Sequence, residues 1–200
     1  MVLSYKTIPD QNLVEISPAV KNPETNKWDC KIKYEDKLLT FNTPKVNIKD
    51  GVLFFDIKKK KIFLDFLEKI DETIINYLAE NCEKFFKGKK FTLERLKNSL
   101  QPQIDIDENG TVSLSAIFDD NVKFFNTFGD PIQPNEVGKY CSAVICVEKV
   151  TFTKDLFKLK YVIKVIKSSK FEKNNENFDE PVKELPQTVE LEKDPDNFFD

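Results

Sequence analysis

Between Leu156 and Ile166 the chain alternates with period two. Phe157, Leu159, Tyr161, Ile163 and Val165 fall on one side of an extended backbone, and Lys158, Lys160 and Lys164 on the other. Such a segment folds as a half-buried strand whose outer face is cationic, and its apolar face needs a covering layer. Upstream, Tyr140 to Val147 is apolar and β-branched on both faces, which suits a more central strand. A turn near Thr153-Lys154-Asp155 would join the two as a hairpin.

The covering layer is visible in the only long helical period. From Ile62 to Phe86 the residues Phe63, Phe66, Leu67, Ile70, Ile74, Tyr77, Leu78, Cys82 and Phe85 form one stripe, with Gly88 as a C-terminal cap. Thr92 is the expected N-cap of a second, short helix that runs to about Leu100 and stops at Pro102. The rest reads as strands. Lys27–Tyr34 has Trp28, Cys30, Ile32 and Tyr34 on one face, and after a turn at Glu35-Asp36 the chain returns over Lys37–Asn42. A hairpin spans Val46–Ile57 around Lys49-Asp50-Gly51. Further strands are expected at Ile104–Ile106, Thr111–Phe118 and Val122–Phe128, the first two joined by a turn at Asp107-Glu108-Asn109-Gly110. The predicted class is α+β, mostly antiparallel, with one long and one short helix. Trp28, alone on an apolar strand face, is expected in the core rather than on a stacking surface.

The chain divides into a polar, proline-punctuated N-terminal arm (1–26) packing along the body, one domain (27–170) and an acidic flexible tail (171–200). The net charge of −3 conceals this division. Residues 171–200 carry ten acids and three lysines, a balance of −7, which leaves the first 170 residues at +4.

Several function classes lose support at once. The chain has no histidine, so imidazole general-base schemes and Ser-His-Asp or Cys-His catalysis in cis are excluded. Its four cysteines lack Cys-x-x-Cys spacing; buried thiols in an intracellular, reducing compartment are expected, with no zinc site. No apolar run approaches a membrane span and no secretory leader is seen. Asp105, Asp107, Asp119 and Asp120 are the only acids with a Mg²⁺-like grouping, but they sit beside turns and no glycine loop to cradle phosphate accompanies them. Asp105, Asp107 and Asn109 lack the glycine spacing and closing Glu of a calcium loop. No cofactor or metal is expected.

What remains is surface. Candidate nucleic-acid contacts are the run Lys58, Lys59, Lys60 and Lys61 before the long helix, Lys84, Lys87, Lys89 and Lys90 near its end, and Lys139, Lys149, Lys158, Lys160 and Lys164 on the late strands. Tyr140, Phe152, Tyr161 and Phe124-Phe125 are the rings placed to stack on bases. The run at 58–61 opposes the helix dipole at a modest cost, which fits either another use for it or a solvated charged turn. The tail ends with Asp194, Asp196, Phe198, Phe199 and Asp200. A tethered polyanion of this kind can occupy a cationic groove until nucleic acid displaces it, freeing the terminal rings to anchor a replication or packaging protein.

The acidic tail with terminal Phe resembles those of bacterial and phage single-stranded-DNA-binding proteins, which usually lack the final Asp. The Trp28 strand, the central helix and the strand pair opening at Gly138-Lys139-Tyr140 resemble the OB-fold-related single-stranded-DNA-binding proteins of nucleocytoplasmic large DNA viruses, over about residues 27–168. That resemblance implies an OB-like barrel, a nucleic-acid groove on its strands, DNA as the favoured polymer, and a viral origin. The site of action would be the host cytoplasm, a viral factory or the nucleus, or a virion. A structural component of a virion that binds no nucleic acid is the competing expectation, and homo-oligomerisation is compatible with either.

Overall fold

The alternation at 156–166 is realised as one of a pair of twelve-residue antiparallel strands in the computed structural model, which describes residues 2–85, 90–153 and 156–168. In chain order the strands are β1 (Val14–Ile16), β2 (Val20–Lys21), β3 (Trp28–Tyr34), β4 (Lys37–Asn42), β5 (Asn47–Lys49) and β6 (Val52–Asp56). Three helices follow: α1 (Lys61–Glu80), α2 (Cys82–Phe85) and α3 (Leu93–Ser99). The strands then resume as β7 (Ile104–Ile106), β8 (Thr111–Ser115), β9 (Ile117–Phe125), β10 (Cys141–Phe152) and β11 (Phe157–Ser168). The architecture is α+β and mostly antiparallel, compatible with an OB-like arrangement. Its strands pair as two sheets, one of seven strands in the order β1-β3-β4-β10-β11-β9 with β2 on β3, and one of four, β5-β6-β8-β7.

β10 organises the larger sheet. One of its edges pairs with β11 throughout. The other meets β4 over Val144–Val147 and β3 over Lys149–Phe152. Residues 32–38 therefore have no partner in β10; they form a hairpin opposite Glu148 that turns at Glu35 and Asp36 with φ of 48° and 62°, and its β3 arm pairs with β1. Positive φ at both central residues is what a tight two-residue hairpin turn requires. β9 is the exception to the antiparallel rule and runs parallel to β11.

Helix α1 covers the apolar face. Phe63 and Phe66 lie with ring centroids 6.3 and 5.1 Å from Phe41 of β4, and Phe63 is also 5.1 Å from Phe55 of β6 and 5.7 Å from Tyr5. One helical turn thus ties together both sheets and the N-terminal segment. Each such fully buried ring or aliphatic side chain contributes about 1.5–3 kcal/mol. The arm is tied in as well: Leu3 and Tyr5 are buried, and Leu3 exchanges backbone hydrogen bonds with Thr40 and Asn42. α1 is shorter than its periodicity implied. Asn81 donates its side-chain amide to the Tyr77 carbonyl at 2.9 Å, capping the helix before α2. Thr92 caps α3, accepting from Arg95 N–H. Gly88 lies outside the described residues.

Thr111–Phe118, read above as one strand, is two. At Ala116 the chain passes from the four-stranded to the seven-stranded sheet, and Ala116 N–H donates to the Gly51 carbonyl at 2.9 Å. Gly51 has φ +79°, and a Cβ there would lie 2.6 Å from the Ala116 carbonyl oxygen. Gly51→Ala therefore combines left-handed strain with a backbone clash. It is expected to destabilise the fold by about 1–3 kcal/mol, read from the urea midpoint.

Tyr161 of β11 is fully buried and donates its hydroxyl to Asp71 of α1 at 3.2 Å. Burial pushes the Asp71 carboxyl up to about 7, against the Tyr161 hydrogen bond and with a further push from Glu68. Between the ordinary value of 3.8 and about 7 the folded chain keeps a proton that the unfolded chain loses. Stability should therefore fall as pH rises through that window, by on the order of 1–3 kcal/mol. Asp71→Asn, which keeps an acceptor for the tyrosine, should flatten the dependence when urea denaturation is compared at about pH 5 and about pH 8.

Candidate nucleic-acid interface

With α1 on one face of the larger sheet, strand alternation sends the lysines to the other. Register then decides which of them meet. Lys31 of β3 lies opposite Lys149 of β10, which lies opposite Lys160 of β11, so three ammonium side chains cross three adjacent strands in one row. The next row on the same face is Asp29, Thr151 and Lys158. Like charges directly opposed across strands oppose sheet formation, by a few tenths to about 1 kcal/mol per pair.

Carboxylates hold two members of the row in place. Lys149 donates to Asp29 at 2.5 Å, and Thr151 donates its hydroxyl to the same carboxylate at 2.7 Å. Burial alone would raise Asp29, but the hydrogen bonds from Lys149 and Thr151 outweigh it and hold the carboxyl below its usual range. Lys160 Nζ lies 2.6 Å from Glu148 Oε2, off the line a hydrogen bond needs. Lys164 is bound by Asp119 at 2.5 Å, which raises the lysine and lowers the carboxyl. Lys31 and Lys158 are exposed and have no carboxylate within ion-pairing distance among the described residues.

An open cleft of about 400 Å³ crosses this end of the face. It runs from Asn22, Thr25 and Lys27 over Asp29, Thr151, Lys149, Lys158 and Lys160 to Ser115–Ile117. Its lining holds four lysines and one carboxylate. The edge of β11 borders it because β9 begins to pair with β11 only at Val162.

The expected constellation is divided by the fold. Lys149, Lys158 and Lys160 come together in the cleft, while Lys164 lies farther along β11 and is engaged by Asp119. Lys58–Lys61 begin the helix that covers the opposite face, so they do not converge with the strand lysines. Lys84 and Lys90 are exposed near that helix's other end, with Lys90 3.4 Å from Glu83, while Lys87 and Lys89 lie outside the described residues. Tyr161 cannot stack on a base: it is a core residue, because its position faces α1. Phe124 and Phe125 are half-buried, and Phe152 is half-buried with its ring 5.7 Å from Phe157. Lys139 and Tyr140 lie at the far end of the sheet, the ammonium 5.6 Å from the ring centroid. Asp194, Asp196, Phe198, Phe199 and Asp200 lie outside the described residues.

Trp28 corrects the opposite expectation. It is 41% exposed, because it starts β3 at the end of the sheet, beyond the reach of the core that buries Cys30 and Ile32. Lys27, Lys31 and Thr151 were missed as site residues. The polar face of the 27–34 strand contained Lys31, but only its register with Lys149 gives it a role. Two of the four candidate metal acids are already occupied: Asp107 accepts from Asn109 and Thr111 N–H, and Asp119 binds Lys164. Among the described residues no three His, Cys, Asp or Glu side chains converge on a metal-sized site, and no helix is long and apolar enough to cross a membrane. All four cysteines are buried; burial pushes Cys30 up to about 12 and Cys141 up to about 11.

No protein-family model matches the sequence, and no curated protein matches it. Among solved structures the chain is similar to the single-stranded DNA-binding protein from bacteriophage Enc34, at 14% identity and a TM-score of 0.43, over 82% of this chain and 96% of that one. It is similar to the same phage protein in complex with ssDNA, at 14% identity and 0.43 over 84% and 98%. Its likeness to the C-terminally truncated phage protein is 15% identity and 0.43 over 83% and 98%.

Proposed function

We propose that the protein binds single-stranded nucleic acid, with DNA favoured, across the lysine face of its larger sheet and without catalysing a reaction. The observation that carries this reading is the row Lys31, Lys149 and Lys160. Aligning three cations across adjacent strands works against the sheet, and a solubilising surface does not need them in register. A phosphate backbone does, since each neutralised phosphate releases counterions and adds affinity regardless of sequence. Asp29 and Glu148 hold Lys149 and Lys160 at the sheet surface until phosphates take over their partners.

The biological setting is the coating of exposed strands during viral DNA replication, repair or packaging. The acidic segment 171–200 competes for the cleft, and Phe198 and Phe199 recruit a replication or packaging protein when nucleic acid displaces it.

Two measurements test this. Anisotropy of a labelled oligo-dT across a salt series should give an affinity that falls with salt. Lys31→Ala/Lys149→Ala/Lys160→Ala should lower the log–log slope by about 2, from about 0.7 per lost phosphate contact. Trp28, the only tryptophan, lies in sequence between the cleft residues Lys27 and Asp29, so its emission should change on binding. An oligonucleotide that does not bind would reject the assignment. A chain ending at residue 170 should bind more tightly than the full chain, and equal affinities would rule out competition by the tail.

A further inference from the structure

The far end of the same sheet carries a second exposed ring on a built support. Phe128 is 85% exposed at the tip of the turn that follows β9. The turn is organised by Asn126, which is buried. Its side-chain oxygen accepts from Phe128 N–H at 2.8 Å and Asp130 N–H at 2.9 Å, and its side-chain nitrogen donates to the Asp130 carboxylate at 3.0 Å. Gly129 supplies the φ of +91° that closes the turn, and Phe125 bridges to Pro131 at its base. A loop this fully bonded fixes the position of its ring, so Phe128 is presented rather than left over.

Register defines what lies beside it. Phe125 is opposite Lys167 on β11, Lys123 is opposite Val165, and Ser168 is opposite Cys141, which follows Lys139 and Tyr140. Tyr140 is 54% exposed. Two exposed rings and three lysines (Lys123, Lys139 and Lys167) therefore share this end of the sheet. Along β11 the outward lysines continue from the cleft through Lys158, Lys160 and Lys164 to Lys167. The two ends are about 33 Å apart at the rise of a β-strand, counted along β11 from Phe157, in the row of Phe152 and Trp28, to Lys167 beside Phe125.

We infer that Phe128, with Tyr140, forms a base-stacking station, the second station after the cleft, for the same single strand, so that the bound polymer follows β11 from the cleft to the Phe128 end. This rests on the nucleic-acid reading above and adds its path and length. Isolated rings set among cations suit bases and phosphates; a protein-docking surface would instead present contiguous apolar area.

The inference has a length signature. Four nucleotides cannot reach across the sheet, whereas about twenty can. Phe128→Ala should weaken oligo-dT of about twenty nucleotides by about tenfold and leave a tetranucleotide unaffected, while Lys149→Ala/Lys160→Ala weakens both. A direct readout is Phe128→Trp in a Trp28→Phe background, which leaves the only tryptophan at the turn. Its emission should be quenched by the long oligonucleotide and unchanged by the short one. If the long oligonucleotide binds yet Phe128→Ala changes nothing and the tryptophan at 128 stays bright, the second station is refuted and the cleft assignment survives. If the natural chain binds neither length, both fail.

Discussion

The pairing of β10 with β11 is the constraint on which the rest depends, and its two irregularities matter as much as its regularity. Register shifts once between Val144 and Ile145, where Lys164 is the extra residue, and once between Val147 and Lys149, where Glu148 is. A bulge re-aims a side chain and increases local twist. Both bulge residues enter ion pairs, Lys164 with Asp119 and Glu148 with Lys160. The Glu148 bulge is also where β10 changes partner from β4 to β3, as the 32–38 hairpin parts from β10. One extra residue thus accommodates a change of neighbour and supplies the carboxylate beside the cationic row.

The two faces of this sheet do different physical work. The inner face is covered by α1, with Phe41, Phe63 and Tyr161 filling the space between, and carries the stability. On the outer face Val144, Cys146 and Val162 are buried yet lie outside the main core cluster. They surround the positions from which Lys160 and Lys164 reach sideways to their carboxylates. Ion pairs as exposed as these contribute little to stability, about 0–1 kcal/mol each. Their larger effect is to lay alkyl stems along apolar strand positions while keeping ammonium groups at the surface. A cationic face can then coexist with a well-packed sheet.

Much of this was legible in the chain because it depends on local periodicity. The β3 and β4 strands, their Glu35-Asp36 turn, the Gly51 hairpin, the Thr92 cap and the alternation of β11 all follow from residues within a few positions of one another. What could not be read depends on register and on element ends. Ala116 interrupts an unbroken alternation because Gly51, 65 residues earlier in sequence, offers it a carbonyl. Trp28 shares a face with Cys30, but a strand outruns its core at one end, and no pattern says which. Tyr161 looked like a stacking ring from its lysine neighbours, yet it faces α1 by the very alternation that turns those lysines outward. Lys58–Lys61 form the densest positive run in the chain, and the fold puts them at the start of the helix on the opposite side.

The same reasoning accounts for the placement of the reactive side chains. A carboxylate that is to hold a metal or move a proton must keep its oxygens available, and here the nearest candidates are spent on structure. Asp107 closes its own turn, Asp119 fixes Lys164, and Asp71 is committed to Tyr161 between helix and sheet. Burial pushes the Cys30, Cys141 and Cys146 thiols away from the thiolate form, which lowers their reactivity as nucleophiles. The groups left facing solvent in an ordered arrangement are ammonium ions and rings. They differ in what they recognise, the first charge and the second flat unsaturated surface, and a single nucleic-acid strand with its bases unpaired offers both along one line. A duplex hides its base faces and a folded acidic protein offers few, so in the proposed reading the mixture itself, more than the number of lysines, would select the ligand.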